Sequence, residues 1–179
     1  MRVEIPLSGA KSKLEGTKLD ISGPRGSVSR IFNHPKVKLS VEGVNVVLKM
    51  EGDKRRDKRM AFTYRAHIKN MIFGVLKGFK YELSLVYAHF PVQMKMQGQE
   101  FSLENFYGEK SPRKVLLPQG VKINLLAKEK KIFIESNDIE LAGQAVTRLE
   151  QLTRIVGKDK RIFQDGIYLV HRGSVEAVK

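Results

Sequence analysis

The chain has 179 residues, 41% of them hydrophobic, which is enough for one medium core or two small ones. Lys and Arg number 33 against 19 Asp and Glu, a net charge of +14 with a pI near 10.0, so a folded basic protein points first to nucleic acid and second to an anionic membrane surface. The absence of cysteine excludes a disulfide framework, a thiolate metal site and a cysteine nucleophile, and no apolar run approaches the length that crosses a bilayer.

Val3, Ile5 and Leu7 alternate with Arg2, Glu4 and Pro6, the period of a half-buried strand. A Gly/Ser/Lys loop is expected next. Leu19 and Ile21 then alternate with Lys18 and Asp20 and lead into Gly23-Pro24-Arg25-Gly26. This Gly-x-x-Gly resembles the phosphate clamp of KH domains. Its flanks read as strands rather than helices, so a tight hairpin turn is the expectation. Val37, Leu39 and Val41, a turn at Gly43, and Val44 to Leu48 predict a second hairpin.

Lys54 to Arg59 holds five cations and one anion and opens a long helical pattern. Met60, Tyr64, Ile68, Met71, Ile72, Val75 and Phe79 form its apolar stripe, and Gly78 is its expected stop. Cations at a helix start oppose the macrodipole. An RNA or protein surface and plain solvation are equally open readings of that run.

Strand patterns return at Tyr81, Leu83, Leu85 and Tyr87, with a bend at His89-Phe90-Pro91. Val92, Met94 and Met96 form the next strand; Phe101 and Leu103 open another, ending near Tyr107-Gly108. A basic loop, Lys110-Ser111-Pro112-Arg113-Lys114, precedes Val115 to Leu117, a turn at Pro118-Gln119-Gly120, and strands at Val121 to Leu125 and Lys131 to Glu135. Asn137 with Glu140 has the spacing of a capping box and opens a second helix. The helix breaks at Gly157. A tail then carries Lys158, Lys160 and Arg161 and closes on the apolar run Ile167 to Val170.

The order of elements repeats. Gly108 lies 85 residues after Gly23, and Val121 lies 84 after Val37. The expected fold is α+β: two tandem duplicated domains, residues 1–79 and 80–179, each a small mostly antiparallel β-sheet packed against one long α-helix. The first copy holds 17 Lys and Arg against 7 Asp and Glu, net +10, so bulk charge alone favours it as the nucleic-acid binder. The tail is what the second copy has after its helix and the first lacks.

No catalytic constellation stands out. The histidines, His34, His67, His89 and His171, are far apart, and no phosphate-binding glycine loop or nucleophile elbow is present. Asp165, before Gly166, reads as a turn cap. The chain is therefore not expected to be an enzyme or to need a cofactor.

Gln151, Ile155, Lys158, Arg161, Phe163, Asp165-Gly166-Ile167-Tyr168-Leu169 and Arg172 carry a spacing that resembles the C-terminal signature of the large-subunit ribosomal protein six family, in its archaeal and eukaryotic branch. Gly23-Pro24-Arg25-Gly26, Ala66 to Ile72 and His89-Phe90-Pro91 are also similar to that family, so the resemblance covers essentially the whole chain. It implies two duplicated units in a structural constituent of the large ribosomal subunit, located on the cytoplasmic ribosome. It implies binding to 23S-type rRNA near the base of the stalk and the translation-factor-binding region, chiefly through the second domain and tail. Neighbouring large-subunit proteins at the stalk base and translation GTPases are the further partners implied, with no membrane and no small-molecule substrate.

On this reading Lys158, Lys160, Arg161 and Arg172 neutralise phosphates, and Gly157 and Gly166 allow close backbone approach. Phe163 belongs to the same segment. Tyr168 either faces a sugar or base or packs in the sheet. Lys110, Ser111, Arg113 and Lys114 form a second contact. The alternative is a free-standing RNA-binding or RNA-processing protein not attached to the ribosome.

Overall fold

The structure, a computed structural model, describes residues 2–51, 54–159 and 161–175. The chain separates into two compact units: Met1–Gly78 with Asn137–Ile139, and Phe79–Ser136 with Glu140–Lys179. The architecture is α+β, and every strand pairing among the described residues is antiparallel.

In the first unit β1 (Arg2–Pro6), β2 (Lys11–Glu15), β3 (Lys18–Gly23), β4 (Gly26–Ile31), β5 (Val37–Glu42) and β6 (Asn45–Met50) precede α1 (Arg55–Leu76). They form two three-stranded sheets, ordered β1-β6-β5 and β2-β3-β4, where a single small sheet was expected. The added strand is β2, in the segment expected to be a loop. Its sequence, Lys-Ser-Lys-Leu-Glu, holds one apolar residue, so pairing with β3 rather than an apolar alternation defines it.

The β3–β4 hairpin closes with Gly23 opposite Gly26, so Pro24 and Arg25 form a two-residue turn. Gly23 is required by proximity: a Cβ there would stand 2.8 Å from the Val75 carbonyl oxygen on α1. The buried face of α1 includes Ala61, Tyr64, Ile68, Met71, Ile72 and Val75, close to the expected stripe, and Tyr64 meets Phe32 edge to face at 4.9 Å. The helix ends in a left-handed turn at Gly78 (φ +71°), whose N–H donates to the Gly74 carbonyl at 3.0 Å.

The second unit contains β7 (Phe79–Val86), β8 (Gln93–Gln97), β9 (Glu100–Glu104), β10 (Arg113–Leu116), β11 (Val121–Leu126), β12 (Lys131–Ser136), α2 (Ile139–Leu152) and β13 (Gly166–Ser174). Its sheets run β8-β9-β10 and β11-β12-β7-β13. The orders β7-β12-β11 and β8-β9-β10 repeat β1-β6-β5 and β2-β3-β4. The strand β13 stands on the remaining side of β7 and has no counterpart among the described residues of the first unit. Alternate residues of β7 (Phe79, Tyr81, Leu83, Leu85) are buried, as are Ile132 and Ile134 of β12 and Ala142, Ala145 and Leu149 of α2. With 14 residues against 22, α2 is not a long helix like α1.

Candidate nucleic-acid interface

The tail begins where α2 ends and is tied back to that helix. As the last strand of its sheet, β13 has one edge free, and an open edge leaves N–H groups without partners. Two side chains near the end of α2 fill them. The Ile167 N–H donates to Thr153 Oγ1 at 3.0 Å and the Leu169 N–H to Glu150 Oε1 at 3.3 Å. Thr153 is 5% exposed and its hydroxyl donates onward to the Glu150 carbonyl at 3.1 Å. A bulge falls between Leu169 and His171, leaving Val170 63% exposed. Beyond it Arg172 lies opposite Tyr81, its guanidinium 5.9 Å from that ring.

The loop between α2 and β13 is built from local bonds and two remote anchors. Gly157 has φ +77°, a left-handed conformation that suits glycine. The Arg161 N–H donates to Asp159 Oδ1 at 2.9 Å, and the Ile162 and Phe163 N–H groups donate to the Asp159 carbonyl at 3.1 and 2.9 Å. The Phe163 ring lies 5.9 Å from that of Tyr107, and Lys158 Nζ sits 4.9 Å over Phe163. Asp165 Oδ1 accepts the Ala88 N–H at 3.1 Å, so this carboxylate joins the loop to the end of β7 instead of capping its own turn.

Tyr168 takes a position between the two expected ones. It is 46% exposed, its hydroxyl donates to the Gln164 carbonyl at 2.9 Å, and its ring lies over Gly166, where a Cβ would come within 3.3 Å of it. Gly166 therefore makes room for the ring. The guanidinium of Arg161 is exposed and makes no hydrogen bond or ion pair among the described residues. Lys160 lies outside the described residues.

The second expected contact divides. Lys110 and Ser111 are exposed in the loop before β10, while Arg113 and Lys114 are the first residues of that strand rather than parts of the loop. Lys114 Nζ is 3.1 Å from Glu100 Oε1. Arg113 is engaged inside the protein: Nε donates to Glu109 Oε2 and Nη1 to the Leu152 carbonyl, both at 2.8 Å, and the guanidinium lies 4.6 Å from the Phe106 ring. It supplies the cation that the last turn of α2 lacks. Its hydrogen bonds hold the Glu109 carboxyl below the usual carboxylate range; burial opposes this and the Arg113 charge adds to it.

Loop and helix border an open cleft of about 460 Å³, lined among others by Gln151, Thr153, Arg154, Phe163, Asp165 and Tyr168. The structure thus brings Gly157, Lys158, Arg161, Phe163, Gly166 and Tyr168 together beside the end of α2. It ties Arg113 to the same helix end. Sequence reasoning missed Glu150 and Thr153, whose partners lie 19 and 14 residues away across a chain reversal and leave no local signal.

The sequence profile of Ribosomal protein L6 matches residues 8–78 and 90–166, ending at the first residue of β13. The Large ribosomal subunit protein uL6 of Methanosphaera stadtmanae is 42% identical over 164 residues, covering 91% of this chain and 88% of that protein. The protein of the same name from Nanoarchaeum equitans is 41% identical over 179 residues (96% and 93%), and that from Sulfurisphaera tokodaii 38% over 168 (93% and 89%). The chain belongs to the Ribosomal protein L6 family, whose members are structural and non-enzymatic components of the ribosome.

Proposed function

We propose that the chain is a structural constituent of the large ribosomal subunit that binds 23S-type rRNA near the base of the stalk and the translation-factor-binding region. Its neighbours there are other large-subunit proteins and the translation GTPases. The two units are duplicated copies of one sheet-and-helix design, divided near residue 79, and the tail is the addition that makes the second copy the main rRNA binder. One observation carries this reading. The tail is fastened on its inner side by Thr153, Glu150 and Asp165, and presents Arg161 outward without a protein partner among the described residues.

A segment so fixed loses little conformational freedom when it binds, and exposed cations on it are available to phosphates. Lys158, Lys160, Arg161 and Arg172 are the proposed phosphate contacts, with Lys110, Ser111 and Lys114 as a second patch. Gly157 and Gly166 shape the backbone, and Phe163 and Tyr168 hold the loop while leaving ring surface exposed. Arg113 acts by positioning the end of α2. Folded side chains read A-form RNA by shape and backbone, so recognition here is of RNA architecture rather than base sequence.

The test is binding to large-subunit rRNA over a salt series. Replacing Lys158, Lys160 and Arg161 together by Gln is expected to weaken binding and to lower the salt slope by about two to three, roughly 0.7–0.9 for each phosphate that is no longer neutralised. An unchanged slope removes the tail from the interface. Co-sedimentation with large subunits at high salt separates a ribosomal constituent from a free-standing RNA-binding protein.

A further inference from the structure

The basic run that opens α1 lies outside the tail. The helix holds six cations, Arg55, Arg56, Lys58, Arg59, Arg65 and Lys69, against the single acid Asp57. That acid turns inward. Asp57 is 5% exposed, with Oδ2 3.5 Å from Lys36 Nζ. The opposite face of the helix carries Arg55, Arg59, Phe62, Ala66, Lys69 and Phe73, spaced four, three, four, three and four residues apart, and every one of them is exposed.

This outward stripe therefore has three cations, two phenylalanines and no acid. Arg55 and Arg59 are about 6 Å apart along the axis, and Lys69 follows about 15 Å further on. Phe62, between them, is 47% exposed. At its far end the stripe borders a shallow groove of about 310 Å³. Ile5, Ile72, Phe73 and Leu76 line it, with Lys69 and Lys77 at its edge.

We propose that this face of α1 is a second RNA-binding surface of the chain. Arg55, Arg59 and Lys69 take backbone phosphates, and Phe62 and the apolar groove take unstacked bases or sugars. The inference rests on the reading that the chain binds rRNA, and extends it to a unit and an element which that reading leaves free.

The chemistry of this face suits RNA better than a protein partner. Arginine forks match phosphate oxygens two at a time, and two of the three cations are arginines. Protein interfaces deplete charge from their buried centre, whereas here cations interrupt the apolar strip at both of its ends. The placement is also unfavourable for the free helix. The N-cap position is Lys54, which makes no capping bond, and the cations that follow oppose the macrodipole. An external polyanion accounts for that arrangement.

The test uses the full chain assembled into large subunits, with a benzophenone amino acid in place of Phe62. Light-induced crosslinking to rRNA is expected, as is its loss when Arg55, Arg59 and Lys69 are replaced by Gln, a good helix former at exposed positions. On naked large-subunit rRNA the same triple replacement is expected to lower the salt slope by about two to three, independently of the tail replacements. A crosslink to a ribosomal protein, or none from a chain that still sediments with subunits, overturns the inference and leaves the tail reading standing. A chain that does not enter subunits at all overturns both.

Discussion

Thr153 and Arg113 show how single side chains make the tail possible. The Thr153 hydroxyl receives the Ile167 N–H and gives its own proton to the Glu150 carbonyl. Both Thr153 and Ile167 are buried, so removing that acceptor leaves a buried donor to be satisfied. Thr153→Val keeps the shape and leaves the Ile167 N–H unpaired, at an expected cost of about 1–3 kcal/mol in urea denaturation. Thr153→Ser keeps the acceptor and loses one methyl, about 0.8 kcal/mol. A larger loss for Val than for Ser assigns the effect to the hydrogen bond; equal losses assign it to packing. Arg113 looks from its sequence neighbours like a free loop cation. In the fold its donors go to Glu109 and to the end of α2, a use invisible until the sheet brings Leu152, 39 residues on, alongside it.

Among the elements, α1 and β13 stand at opposite limits of legibility. The apolar period of α1 spans six turns, so its existence, its buried face and its glycine stop all follow from spacing. The inward turn of Asp57 follows from the same spacing, because it lies on the side of Ala61, Tyr64 and Ile68. The cations beside it oppose the helix dipole. Arg56→Glu, at an exposed first-turn position off the outward stripe, is expected to raise the melting temperature of the free protein through about 0.3–1 kcal/mol of stability. A thermal melt at low salt checks this, and a fall in melting temperature contradicts the dipole argument. The apolar run in β13 shows that it is a strand. Its partner β7, its bulge and its edge caps come from residues 79–86 and 150–153.

For the whole molecule, charge acts with opposite signs in the two states of interest. A net charge of +14 repels itself in the free protein and attracts a polyanion. Raising salt from about 50 to about 200 mM shortens the screening length from roughly 14 to roughly 7 Å. The free chain is then expected to melt at a higher temperature while its affinity for rRNA falls by orders of magnitude. Parallel melting and binding titrations at matched salt read both. If affinity is flat across that range, phosphate contacts do not dominate the interface. The first unit carries the larger share of the charge, and in α1 that share is concentrated on one exposed face.

Alternation, helical spacing and turn chemistry were sufficient for the α+β class, the existence of both helices and the Gly23–Gly26 hairpin, and the spaced residues from Gln151 to Arg172 for the family resemblance; the end of α2 was not legible, since the helix stops at Leu152 rather than at Gly157. Local period also limits what can be seen. The strand β2, with Leu14 as its only apolar residue, exists through pairing with β3, so it was expected as a loop rather than as part of a second sheet of the first unit. Gly108 marks a one-turn 3-10 segment after β9 rather than the end of that strand, since Asn105 and Tyr107 take left-handed conformations that no pattern announces. The residue before the first turn of α2 is Asp138, one beyond the expected Asn137. In the tail, the sequence determined which side chains are basic, aromatic or glycine. Only the tertiary structure decided which of them are committed to the protein and which are left outward. That choice depends on hydrogen-bond partners many residues away, and those partners become neighbours only when the sheet closes.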